Sequence, residues 1–132
     1  MGTIDLLAAA RQAAERAHAP YSRFRVGAAV LDAAGEVFVG CNVESASYGL
    51  SLCAERSAIF NAIAAGGQRP LRALAVVCLD AEPGACAPCG ACRQVMAEHL
   101  AEDAAIYLGP NDVVRPAELL PRAFTLAAEW PG

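Results

Sequence analysis

The sequence predicts an α/β fold with helices on both faces of one sheet. Three observations carry this. Leu71 to Leu79 is a continuous apolar run holding Val76 and Val77, which reads as a central strand buried on both sides. Arg25 to Ala33 and Glu36 to Gly40 read as strands around an Ala34-Gly35 turn, and so as a hairpin. Stretches of helical period lie before, between and after these strands. The chain has 132 residues, 56% of them hydrophobic, so residues 1–132 are expected to form one domain with its own core.

Taken in order, Ile4 to His18 reads as a helix that Thr3 can cap, with Leu7, Ala10, Ala14 and Ala17 at helical spacing and Pro20 as its stop. Its Ala-rich face predicts a close-packed neighbour. Ala19 to Phe24 is a loop with two aromatics, followed by the hairpin, in which Val37 and Val39 share one face and Phe38 takes the other. Cys41 to Ser51 is polar and without period. Ser51 is a plausible cap for a helix from about Leu52 to Ala65, ended by Gly66-Gly67, with Ile59, Phe60 and Ile63 as its buried face. After the central strand, Asp80 to Ala87 forms a loop with Pro83 and Gly84, and Pro88 opens a helix over Cys89 to Leu100. Ala105 to Leu108 is a short strand, and Asn111 to Arg115 reads as a fifth at the edge. Leu119-Leu120-Pro121 closes a short helix, and Ala123 to Trp130 is a tail.

Composition excludes several classes. The net charge is −4, Lys is absent, and the ten Arg are scattered, so no basic face for nucleic acid is expected. No uninterrupted apolar run reaches the ~18 residues of a membrane span, and the N-terminus shows no signal-peptide pattern. A cytoplasmic protein acting on a small neutral or cationic substrate fits this balance. Its six cysteines are then expected to be reduced.

Two segments concentrate the chemistry: Cys53-Ala54-Glu55-Arg56 and Pro88-Cys89-Gly90-Ala91-Cys92-Arg93. Cys89 and Cys92 have the Cys-x-x-Cys spacing that lets two thiolates grip one tetrahedral metal, and Cys53 is the obvious third donor. Both segments fall at predicted helix starts, where free amides and the helix dipole favour thiolates. Three ligands beside one carboxylate, Glu55, match a catalytic zinc site with a position left for water. Three thiolates around Zn²⁺ carry a net −1, which calls for a compensating cation. Arg56, one turn from Cys53, is the better placed of Arg56 and Arg93. Glu55 can carry a proton from water to a ring nitrogen and another to a departing amine, the work of a hydrolytic deaminase. Asn42 and Glu44 can bond sugar hydroxyls, although composition alone favours a solvated loop there.

The motifs together resemble the zinc-dependent cytidine deaminases of the small homotetrameric type. Cys-Ala-Glu-Arg at 53–56 and Pro-Cys-Gly-Ala-Cys-Arg-Gln at 88–94 resemble that family's metal motifs. Pro20 to Ala29 resembles its first-strand motif. Gly40 to Glu44 with Ala46 to Gly49 resembles its ribose loop, and Leu119-Leu120-Pro121 with Phe124 its C-terminal segment. The resemblance implies a three-layer α/β/α sandwich around a five-stranded mixed sheet. It implies Cys53, Cys89 and Cys92 as ligands of one Zn²⁺ per subunit, Glu55 as proton shuttle, and Arg56 beside the thiolates. Asn42 and Glu44 would hold the ribose and Phe24 would line the pyrimidine pocket. Tyr48 would stand at the substrate pocket near a subunit contact, and Phe124 would close the pocket from a neighbouring subunit of a homotetramer. The implied reaction, in pyrimidine salvage, is hydrolytic deamination of cytidine or 2'-deoxycytidine.

Departures from the family pattern are His99, where the family often has Phe, and the tail past Phe124. The deaminase of the blasticidin S type shares the zinc chemistry, but the full ribose-loop match favours plain cytidine. A rival of another class is a closed structural zinc site in which Cys86 joins the other three cysteines and leaves no position for water.

Overall fold

The computed structural model describes residues 3–82 and 86–126. Its elements are α1 (Thr3–Ala14), β1 (Val26–Leu31), β2 (Val37–Cys41), α2 (Ala54–Ala64), β3 (Leu71–Cys78), α3 (Gly90–His99), β4 (Leu100–Gly109), β5 (Asp112–Val114) and α4 (Pro116–Leu119). The strands form one mixed five-stranded sheet in the order β2-β1-β3-β4-β5. β3 and β4 run parallel, and the other neighbours are antiparallel. Helix α1 covers one face and α2 with α3 the other, so the α/β/α sandwich holds.

Alternation along the strands feeds two cores. Ala28, Val30, Leu74, Val76 and Ile106 face α2 and α3, where Ile59 and Met96 close the packing. Ala29, Ala73 and Ala75 face Leu6 and Ala10 of α1. A buried Ile or Met side chain contributes roughly 1.5–3 kcal/mol by leaving water, so the α2–α3 side, with the larger side chains, dominates. The small Ala face of α1 has the close neighbour its composition predicts. A Cβ on Gly27 of β1 would collide with the Ala10 carbonyl and the Ala14 backbone. Gly40 of β2 meets Ser57 and Ala58 of α2 in the same way.

Several boundaries differ from the sequence reading, each for a tertiary reason. Helix α1 stops at Ala14 rather than His18. The His18 amide donates to the Asn42 carbonyl at 3.0 Å, and its carbonyl accepts from the Glu44 amide at 2.8 Å, which pulls the chain into extended form. Leu52 pairs with Val43 in the same way, so α2 begins at Ala54. Ser51 does not cap it; its Oγ accepts from the Ser45 amide at 2.9 Å. Phe60 is exposed, because the buried stripe of α2 is Ala54, Glu55, Ala58, Ile59 and Ala62. β4 starts five residues early, directly where α3 ends. The hairpin turn is fixed by buried Asp32, whose carboxylate accepts from the amides of Ala34, Glu36 and, across the chain, Gln68 at 3.0, 2.7 and 2.8 Å. Gly35 takes the left-handed conformation the turn needs (φ 91°). Pro83, Gly84 and residues 127–132, Trp130 among them, lie outside the described residues, as does the side chain of Thr3.

The expectation of six reduced cysteines is overturned. Cys78, the last residue of β3, is disulfide-bonded to Cys86, with Cα atoms 5.9 Å apart. Sequence spacing does not reveal this, because the approach to α3 folds back onto the end of β3.

Candidate functional site

Helices α2 and α3 begin side by side, and each opens on a cysteine. Cys53 is the N-cap of α2 (φ −73°, ψ 154°) and Cys89 that of α3 (φ −70°, ψ 168°). Both therefore sit one position ahead of the first helical turn rather than within it. Cys92 lies inside the first turn of α3 and is fully buried. The Sγ atoms stand 3.8 Å apart for Cys53–Cys89 and 3.5 Å for Cys89–Cys92, and all three lie within 4.8 Å of one another. Tetrahedral zinc with bonds of about 2.3 Å sets its sulfurs about 3.8 Å apart. The donor set and its spacing therefore fit a single zinc ion. Among the described residues no other group of three or more such side chains converges. Cys86 does not join them, since its sulfur is bonded to Cys78. That removes the fourth thiolate a closed structural site requires.

The electrostatics follow from the same geometry. Arg56 donates from Nη2 to Cys53 Sγ at 3.4 Å, while its buried Nε has no hydrogen-bond partner among the described residues. Hydrogen bonding from the Cys92 thiol, and then from Arg56, lowers the pKa of Cys53; the Cys53 thiolate and burial raise that of Cys92. Arg93 is engaged elsewhere. Its Nε donates to the Pro88 carbonyl at 2.8 Å and its Nη1 to the Leu119 carbonyl at 3.1 Å, which ties the start of α3 to α4.

Glu55 is 5% exposed. It is therefore no solvated acid of the kind common at helix starts. Burial, reinforced by the Cys53 charge, raises its pKa to about 7. It faces a cavity of about 240 Å³ together with Cys53 and Cys89, Phe24, Asn42 and Glu44. Val26, Ala54, Val76 and Ala87 add apolar wall, and Cys78 and Cys86 line it too. A second hollow of about 390 Å³, bordered by Tyr21, Ser22, Glu44, Tyr48 and Ser51, shares Ser22 and Glu44 with the first.

Asn42 and Glu44 are held rather than loose. Asn42 Oδ1 accepts from the Val26 amide at 2.9 Å, and its Nδ2 donates to the Phe24 carbonyl at 2.8 Å. Glu44 accepts from the amides of Tyr21 and Ser22 at 3.0 and 3.1 Å, and from the Ser22 hydroxyl. These bonds, the hydroxyl first, lower the pKa of Glu44. The Ser22 Oγ also accepts from the Phe24 amide at 3.0 Å. Arg23, in the left-handed region at φ 58°, turns the chain directly before Phe24.

The structure thus gathers Cys53, Cys89, Cys92, Glu55, Arg56, Phe24, Asn42 and Glu44 around one place. Tyr48 stands in the outer hollow, 73% exposed, edge-on to Tyr21 at 6.0 Å between ring centres. Phe124 is 67% exposed and lines neither hollow; its carbonyl accepts from Gln94 Nε2 at 2.9 Å. Sequence reasoning missed Ser22 and the Cys78–Cys86 wall. Ser22 lay in plain sight two residues before Phe24, whereas the disulfide left only an even cysteine count as a signal.

Comparison with known proteins agrees with this geometry. Residues 3–108 match the family described as the cytidine and deoxycytidylate deaminase zinc-binding region. The chain is 51% identical over 124 residues to a cytidine deaminase of Halalkalibacterium halodurans, covering 91% of this chain and 92% of that one. It is 47% identical over 120 residues to a cytidine deaminase of Mycobacterium tuberculosis, covering 89% and 85%. The crystal structure of a cytidine deaminase from Burkholderia pseudomallei superposes with a TM-score of 0.84 at 47% identity, covering 94% of this chain and 100% of that one.

Proposed function

This chain belongs to the zinc-dependent cytidine deaminase family, and we propose that it hydrolyses cytidine and 2'-deoxycytidine to uridine and 2'-deoxyuridine with release of ammonia. One observation carries the reading. Three thiols at zinc spacing and one buried carboxylate open onto the cavity that Phe24, Asn42 and Glu44 also line.

Zinc held by Cys53, Cys89 and Cys92 would supply a Lewis acid that makes water a nucleophile near neutral pH. The rest is the work of the chain. Arg56 offsets the surplus charge of the thiolates through its bond to Cys53. Glu55, with a pKa near 7, both accepts and donates a proton at neutral pH. It takes a proton from the attacking water, gives it to the pyrimidine ring nitrogen, and carries another to the leaving amine. Phe24 and the apolar wall of Val26 and Val76 hold the base and exclude solvent. Asn42 and Glu44, fixed by their bonds to the loop before β1, present their remaining hydrogen-bonding capacity to the ribose.

The same reading includes a homotetramer in which Phe124 closes a neighbour's pocket. Support comes from its exposure and from its absence among the residues lining the cavity of its own chain. No helix among the described residues is long and apolar enough to cross a membrane. Ammonia release from cytidine, with and without a zinc chelator, tests the function. Release that stops on chelation and returns with added zinc is expected; no release from the zinc-loaded protein overturns it.

A further inference from the structure

The Cys78–Cys86 bond is a partition between two hollows. Both residues line the 240 Å³ cavity of the metal centre, and both also line a cavity of about 490 Å³ on the other side, bordered by Leu7, Arg11 and Leu108. The chain on either side of the bond is anchored independently of it. Asp80, two residues beyond Cys78, accepts from Arg25 through its amide, Nε and Nη2 at 2.8, 3.0 and 2.9 Å. Cys78 itself pairs with Val26 in the sheet. Pro88, two residues beyond Cys86, is held by Arg93 at 2.8 Å. On the far side of the bond only Ala87 separates Cys86 from the Pro88 anchor, and both Cys86 and Ala87 line the active cavity.

We propose that this bond is a redox-operated wall of the substrate cavity: opening it weakens nucleoside binding and leaves the metal centre and the chemical step intact. The proposal rests on the deaminase reading above. Bonded sulfurs stand about 2.0 Å apart, whereas non-bonded heavy atoms of this kind need about 3.5–4.0 Å. Reduction therefore drives the two sulfurs apart by roughly 1.5–2 Å. A close-packed core would resist such a shift, but here open space lies on both sides. Because β3 is held by its pairing and by Arg25, Cys86 is the residue that moves, and the wall beside the substrate moves with it. Cys89 and Cys92 keep their places because Arg93 still fixes Pro88 ahead of them. Opening takes two electrons and two protons from a protein dithiol, which departs as its own disulfide by way of a mixed disulfide. A phosphine does the same with one water and leaves as the phosphine oxide.

The test begins with zinc-loaded protein isolated without reductant. Denatured in excess chelator, it should show four reactive thiols of its six cysteines, and all six after phosphine treatment. Native protein treated with phosphine should show a KM for cytidine raised about tenfold, with kcat and zinc content unchanged; an oxidised dithiol should reverse the shift. The variant C78A/C86A should have the high KM and ignore phosphine. Should that variant fail to fold, wild-type titration and kinetics still decide. Six thiols before reduction, or four thiols with a KM indifferent to phosphine, would overturn the wall. Absence of ammonia release in both redox states would instead strike down the deaminase reading itself, and the wall with it.

Discussion

Arg56 and Cys53 form a side-chain pair across the first turn of α2, with Nη2 donating to Sγ at 3.4 Å. The pair places a fixed positive charge against the cluster of thiols, and the Arg56 Nε beside it is buried without a partner among the described residues. Arg56→Ala is expected to lower kcat/KM by about 10- to 100-fold, with a smaller loss of zinc. Without the guanidinium, water at the centre becomes harder to ionise, so the rate profile should move to higher pH. Metal analysis and a pH–rate profile on the same preparation check this; an unmoved profile at full zinc occupancy would refute the charge argument.

Glu44 is held by the amides of Tyr21 and Ser22 and stands where the inner and outer hollows meet. Glu44→Ala should reduce kcat/KM for cytidine by about 10- to 100-fold, the effect of losing a hydrogen bond to a charged group. Cytosine lacks the sugar, so its turnover should fall far less. Equal proportional losses on both substrates would remove Glu44 from the ribose site.

Four of the five cysteines near the cavity, Cys53, Cys86, Cys89 and Cys92, should separate into two classes. Cys53→Ser, Cys89→Ser and Cys92→Ser should each lose zinc, activity or both, because each removes one of three converging sulfurs. Cys86→Ser should keep one zinc per chain and its kcat while KM rises, because Cys86 is bonded to Cys78 and not to the cluster. Elemental analysis beside cytidine turnover decides. Zinc loss from Cys86→Ser to match the others would return the closed structural site.

Asp32 is buried, and its amide partners, Gln68 first, lower its pKa. A lowered carboxyl pKa stabilises the fold fully above the unfolded value of about 3.9. That stabilisation is lost as pH falls through the folded value. Asp32→Asn should therefore melt earlier than wild type at pH 7 and lose less on acidification. Parallel melting curves for the two proteins from pH 7 to pH 3 would show that the charge contributes nothing.

Much of this was legible because local chemistry and tertiary role coincide. The apolar run at 71–79 is β3, at the centre of the sheet, and the Cys-Ala-Glu-Arg and Cys-Gly-Ala-Cys segments do open α2 and α3 side by side. Where helix ends differed from the sequence reading, long-range pairing was the cause. His18 and Leu52 left their helices because both pair with Val43, which no window of local sequence contains. Phe60 was misplaced because a hydrophobic residue adjacent to Ile59 lies about 100° round the helix from the buried stripe. The disulfide escaped notice because compartment-level reasoning about thiols says nothing of which two cysteines the fold brings within 5.9 Å between Cα atoms. Asp32 lies inside the stretch read as a strand, and only the contact with Gln68, 36 residues away, reveals it as a buried anchor.

Glu55→Gln tests the central claim most directly. The substitution keeps the side chain's size in a position 5% exposed, so fold and zinc content should be preserved. What it removes is a carboxyl with a pKa near 7 that can both accept and donate a proton. The measurement is ammonia release from cytidine by variant and wild type, each confirmed to hold one zinc per chain. A loss of kcat of at least about 10²–10⁴-fold is the predicted result; near-wild-type turnover by the zinc-loaded variant would contradict the account.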